Sequence, residues 1–138
     1  MKPLLLISLL CTVLIYPSLG QINKYRSDRV AITSKVEGTN NWKDWSPYLV
    51  SDALIVIDQE NKKIIIYNPH GEVSYDIIRT PKITQSSNDN KVTTLESVND
   101  KGQKCIFALV GKTLSDVNEI YIQEGEIRCV YNISKNLN

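Results

Sequence analysis

The sequence predicts an all-β protein, an antiparallel meander of seven or eight strands closing into a small barrel. Turn signatures recur at short intervals, most clearly Asn68-Pro69-His70-Gly71 and Asn99-Asp100-Lys101-Gly102. The runs between them are short and dense in β-branched and aromatic residues, which fit a pleated surface. No heptad, internal repeat or long amphipathic helical period interrupts them. A meander of this length tends to curl and close because closure removes unpaired edges. A two-sheet sandwich is the alternative architecture.

Residues 1–20 read as a cleaved signal peptide. Lys2 gives a positive start, Leu4 to Ile15 is apolar apart from Ser8 and Thr12, and Ser18-Leu19-Gly20 places small residues at a cleavage site. The apolar stretch is short of the ~20 residues that span a bilayer, so no membrane anchor is expected in the mature form. Leu10 before Cys11 is too large for lipidation of that cysteine. Residues 21–138 then form a single barrel domain starting at Gln21, in the periplasm or outside the cell.

Lys2 is the one charged residue of the leader, so the mature chain carries 15 Lys and Arg against 15 Asp and Glu. A neutral, evenly mixed surface offers phosphate backbones nothing to bind, which argues against nucleic acid as a partner.

Reading outward from the turns gives strands near Ala53–Asp58, Lys63–Asn68, Glu72–Thr80, Lys91–Val98, Gln103–Val110, Asn118–Gln123 and Glu126–Ile133, with an earlier one through Arg29–Val36. Both Asn-x-x-Gly turns are expected as a type I turn followed by a glycine bulge. Gln59-Glu60-Asn61-Lys62 fits a four-residue hairpin loop. Glu124-Gly125 fits a two-residue one, pairing Gln123 with Glu126 and Ile120 with Cys129. Gln85–Asn90 has no apolar residue and is expected to be a mobile loop.

The first hairpin is the most informative. With Asp58 opposite Lys63, Ile57–Ile64 and Ile55–Ile66 fall on one face, and Val56–Ile65 and Leu54–Tyr67 on the other. One apolar face can line the barrel. The other needs a cover, supplied by the N-terminal segment Ile22–Val36, a second copy of the chain, or another protein.

Candidate chemistry is sparse. His70 is the single histidine and sits at a turn tip, where few groups can converge. Cys105 and Cys129 are the cysteines of the mature chain, and an oxidising compartment favours pairing them. The meander sets them two strand spacings apart, ~9–10 Å, beyond the ~7 Å limit for a bridge, which favours two small buried thiols. One histidine and two separated cysteines do not make a zinc or copper site, and no cofactor motif appears. Carboxylates are plentiful without a specific pair; Asp76, in an apolar strand, would be inspected first. Asn132-Ile133-Ser134 matches a glycosylation acceptor.

Trp42, Trp45 and Tyr48 lie within seven residues. Clustered rings anchor partners because a rigid ring loses little entropy on burial. They could equally plug the open end of the barrel, which is the expectation from sequence.

The run Trp42…Trp45, then Leu54-Ile55-Val56-Ile57-Asp58…Asn61…Ile64-Ile65-Ile66-Tyr67, then Tyr75-Asp76-Ile77-Ile78, resembles a group of small exported proteins of Bacteroidota. That resemblance implies export and brings no activity with it. Similarity to lipocalins is weaker, since Gly38 and Trp42 are too far apart for their Gly-x-Trp start.

The expected function is non-enzymatic binding of another protein, or of a second copy as a homodimer, in the manner of an inhibitor or immunity protein. Trp42, Trp45 and Tyr48, with Leu54, Val56, Ile65 and Tyr67, would make the contact. The rival expectation is a carrier holding a small apolar ligand inside the barrel.

Overall fold

Nine antiparallel strands account for most of residues 22–86 and 89–137, the part of the chain that the computed structural model describes. They are β1 (Ile22–Ser34), β2 (Leu49–Asp58), β3 (Lys63–Asn68), β4 (Gly71–Ile77), β5 (Lys82–Gln85), β6 (Lys91–Val98), β7 (Lys104–Thr113), β8 (Asp116–Glu124) and β9 (Ile127–Asn136). No helix occurs among the described residues. The leader, Gln21 and the Ser87-Asn88 tip of the expected loop lie outside them.

Eight strands close a ring in the order β1-β2-β3-β4-β6-β7-β8-β9, with β9 paired back to β1. β5 stands outside it, on the edge of β6 that also receives β4. The fold is therefore a barrel and not a sandwich.

Alternation builds the inner wall. Tyr25, Ile55, Ile57, Ile64, Leu95, Cys105, Phe107, Leu109 and Ile120 point inward and are at most 2% exposed. The ring is also staggered. Register partners followed from Ile22 run through Asp58, Lys63, Asp76, Val98 and Lys104. Continued across the β8–β9 turn, where the Lys35 N–H donates to the Glu126 carbonyl, the path returns to β1 at Lys35, 13 positions from its start. Closure with such a stagger tilts the strands steeply, so neighbouring strands overlap over only part of their length.

Turn chemistry decides most registers. The β2–β3 hairpin has the expected pairs, Asp58↔Lys63 through Leu54↔Tyr67. Its loop is fixed by Asp58, whose carboxylate accepts the Asn61 N–H (3.1 Å) and side-chain amide (2.8 Å). At Asn99 the expected turn and bulge form: the Gly102 N–H donates to the Asn99 carbonyl (3.0 Å), the Asn99 N–H donates to Gln103 (2.9 Å), and Gly102 takes φ +75°. At Asn68 they do not. Asn68 pairs directly with Gly71 across a two-residue loop, and Gly71 has φ +136°, outside the compact left-handed region a bulge requires.

Four other expectations need correction. β1 begins at Ile22 rather than Arg29, because Asn23, Tyr25 and Ser27 bury their side chains in the ring. β8 and β9 pair Glu124 with Ile127 and Ile122 with Cys129, two residues from the expected register, with Gly125-Glu126 as the turn. The segment Gly111–Val117, left between the expected strands Gln103–Val110 and Asn118–Gln123, is mostly strand, closing at Thr113↔Asp116. The expected strand Glu72–Thr80 stops at Ile77, and β5 resumes at Lys82 after Pro81, which has no N–H to give. Ile77 pairs with Ser97 and Lys82 with Thr94, so two extra residues bulge out of the strand at this break.

At the far end Gly111 permits a close approach of β7 and β8. A Cβ there would lie 2.1 Å from the Asp116 carbonyl oxygen and 2.7 Å from the Val117 Cα. The Tyr25 hydroxyl donates to the Leu114 carbonyl (2.6 Å), and the Asn136 side chain exchanges two hydrogen bonds with the Val117 backbone (both 3.1 Å), closing that end.

Candidate functional site

Every one of the seven residues expected to make the contact stands on the outer wall. Leu54, Val56, Ile65 and Tyr67 occupy the outward rows of β2 and β3, opposite in sense to the buried Ile55, Ile57, Ile64 and Ile66. Leu54, Val56 and Ile65 are half-buried and Tyr67 is exposed. With Ile22 and Lys24 they line an open groove of 520 Å3. The hairpin is apolar on both faces, as its sequence demands.

The expected cover is not there. Ile22–Ser34 cannot lie across this face because its backbone is committed edge to edge, to β2 on one side and β9 on the other. The Arg26–Asp52 (2.8 Å) and Lys63–Asp76 ion pairs flank the groove. Asp76, the carboxylate singled out from sequence, is thus a partner of Lys63 on the exposed wall.

The aromatic segment folds over the wall instead of plugging the barrel. Residues beyond β1 turn back beside it, with the Lys43 N–H donating to Ser34 and the Ser46 N–H to Ile32 (both 2.9 Å). Thr33 donates its hydroxyl to the Lys43 carbonyl (2.7 Å). Ala31, Val130 and Tyr121 form one outward row across β1, β9 and β8. Ala31 and Val130 are nonetheless buried, and the Trp45 ring meets the Tyr121 ring edge-on with centroids 6.1 Å apart. The segment therefore acts as a strap over this row.

Cations from the wall hold the rings of the strap. The Arg128 guanidinium lies 3.8 Å from the Trp42 ring centroid, and the Lys35 ammonium 5.5 Å from it. Arg29 stands 5.6 Å from the Tyr48 ring. The Arg128 Nε also donates to Gln123 (3.0 Å), which fixes the guanidinium plane. The Tyr121 hydroxyl donates to Glu119 (2.5 Å), and burial with that carboxylate pushes its pKa up to about 12. Trp45 is still 42% and Tyr48 49% exposed.

Sequence reasoning missed Val50, outward on β2 and 94% exposed. It shares even-numbered parity with Leu54 and Val56, and Ser51-Asp52 masked the start of the strand. Arg29, Tyr121 and Arg128 were missed because their relation to the rings exists only after closure.

Inside the barrel, Cys105 on β7 and Cys129 on β9 are free and separated by β8. Burial pushes the two thiols up to about 11 and about 12, so both stay protonated at neutral pH and are weak nucleophiles. A cavity of 220 Å3 at this end is lined by Ile66, Tyr75, Ile122, Glu124, Ile127, Cys129 and Tyr131. His70 sits exposed on its turn, its N–H donating to the Asn68 side chain (2.9 Å). Among the described residues no three His, Cys, Asp or Glu side chains are grouped to hold a metal.

No known protein family, curated protein or solved structure matches the chain.

Proposed function

We propose that the mature chain is a non-enzymatic exported protein, periplasmic or secreted, that binds another protein through its outer wall as an inhibitor or immunity protein does. The observation that carries this reading is the wall itself. Trp45, Tyr48, Val50 and Tyr67 leave large apolar surface in water on one side of the barrel, with half-buried Leu54 among them, arrayed along β2 and its neighbours. Such patches mark interaction sites, and exposed Trp and Tyr beside Arg are the residue types that dominate contact energies. Raised thiol pKa values and an isolated turn histidine support a role without covalent or acid–base chemistry. The carrier reading draws less support, because the large side chains of Tyr25, Phe107, Leu95, Leu109 and Ile120 fill the barrel interior.

The test is capture with the mature protein as bait, followed by affinity measurement on whatever it retains. Trp45→Ala should weaken that complex about thirtyfold, the effect of removing a ~2 kcal/mol anchor. A second copy as the partner would appear as a dimer in light scattering and dissociate in Val56→Lys. A monodisperse monomer that captures nothing overturns the reading.

A further inference from the structure

The ring has an open backbone edge that lies beside a cavity. The β4–β6 ladder consists of Asp76↔Val98 and Ile77↔Ser97 alone, because the stagger carries the first half of β4 past the end of β6. The Ile77 N–H donates to Lys62 on the β3 side and the Ile78 N–H to Glu96 on the β6 side, so alternation points the Glu72 and Ser74 backbone groups toward the unpaired side. No other strand takes them up, and Gly71 to Ser74 are all exposed. A second free edge, β5, is four residues long and starts at Lys82 directly after Pro81, a blunted edge.

Tyr75, at the end of this open stretch, also lines the 220 Å3 cavity. A strand added along Gly71–Tyr75 would turn alternate side chains to the inner face it shares with Val73 and Tyr75, at the mouth of that cavity. The cavity walls are apolar, from Ile66, Ile122 and Ile127, but Glu124 stands among them. Its carboxylate accepts the Asn99 amide (2.7 Å), and among the described residues no cation stands within ion-pair distance of it. Glu72, Asp100 and Glu126 add negative charge on β4 and the two turns at this end, against Lys101 and Lys35.

We infer that the open edge of β4 receives an extended segment of a protein partner, and that a lysine or arginine of that segment enters the cavity, its stem on the isoleucines and its charge at Glu124. Backbone hydrogen bonds to Glu72 and Ser74 supply affinity, and the cavity supplies selection for one long basic residue. This contact adjoins the outer wall, since Glu72 and Ser74 pair with Tyr67 and Ile65, but it does not use the strap and stands whether or not the strap binds anything.

Panning short random peptides displayed on phage against the mature protein tests it. Recovered peptides should share a lysine or arginine with apolar or β-branched residues at alternate positions. They should bind at least about tenfold more weakly to Glu124→Gln, which removes the charge, and to Ser74→Pro, which removes an outward N–H without touching the β3 ladder. In the unsubstituted protein, bound peptide should slow amide exchange at Glu72 and Ser74 and leave Lys82–Gln85 unchanged, a readout that holds even where Ser74→Pro fails to fold. Trp45→Ala should leave peptide binding intact, which separates this site from the outer wall. A library that yields no binder, binders without a shared basic position, binding indifferent to Glu124→Gln, or protection away from β4 overturns the inference.

Discussion

The two edges of β6 are unlike. Along one it pairs with β7 over eight residues, Lys91↔Gly111 to Val98↔Lys104. Along the other it shares itself between β4, with two pairs, and β5, with four, across the bulge at Ile78–Pro81. At this seam the work of backbone hydrogen bonds passes to side chains. Tyr75 of β4 meets Phe107 of β7 edge to face, 5.0 Å apart and at 76°, while Ile77 and Leu95 bury beside them. Outside, Arg79 reaches Glu96 at 3.1 Å. A closed barrel can therefore be locally open: its ring is complete, but one junction rests on packing.

Substitutions can break that contrast, the largest effect first. Phe107→Ala should cost about 4 kcal/mol in urea unfolding, since the ring is fully buried. Amide exchange should then quicken in β4 more than in β7; equal changes would mean the seam is no weaker than the rest. Gly111→Ala acts on the fully paired edge, where the obstructing atoms are backbone and cannot swing aside. It should cost about 3 kcal/mol and loosen β7 and β8 without affecting β4.

Tyr25→Phe leaves the Leu114 carbonyl without its donor and should cost about 1 kcal/mol, sharpening the picture of a sealed far end. At the seam side, Lys63→Ala removes an exposed ion pair with Asp76, and a loss above about 1 kcal/mol would show that surface charge, and not packing, holds β4. The smallest effect concerns pH. The Asn61 side-chain and backbone N–H groups hold the Asp58 carboxyl below its ordinary 3.8. A folded pKa below the unfolded one adds stability that is present above 3.8 and lost as pH falls through the folded value. Asn61→Ala keeps the backbone N–H but removes the side-chain donor, so it should lower the urea midpoint slightly at neutral pH, leave it unchanged well below the folded pKa, and so flatten the acid-side slope.

How much of this was legible depends on which force set each feature. The β2–β3 register could be read in full because a four-residue loop bounded by Asp58 and Lys63 admits one pairing. The last hairpin slid by two, since period-two alternation fixes a residue's face but not its position along the partner strand. Leu54, Val56, Ile65 and Tyr67 lie on the outward face that alternation predicts, whereas Trp42, Trp45 and Tyr48 lie on the wall and not in the barrel mouth. That they share one wall, with the strap lying over Ala31 and Val130, could not be read, because Tyr121 is more than seventy positions from Trp45 and Arg128 more than seventy from Trp42, and they become neighbours only through strand order.

By itself the sequence determined the strand-forming runs, the turns and the two apolar faces of the first hairpin, all of which are set within a few residues by sterics and alternation. Tertiary structure decided the stagger of the ring, the break between β4 and β5, the open edge at Gly71–Tyr75 and the placement of Glu124 beside it. Closure imposes a single tilt on eight strands at once, and where that tilt leaves a strand without a neighbour depends on the sum of every register around the barrel.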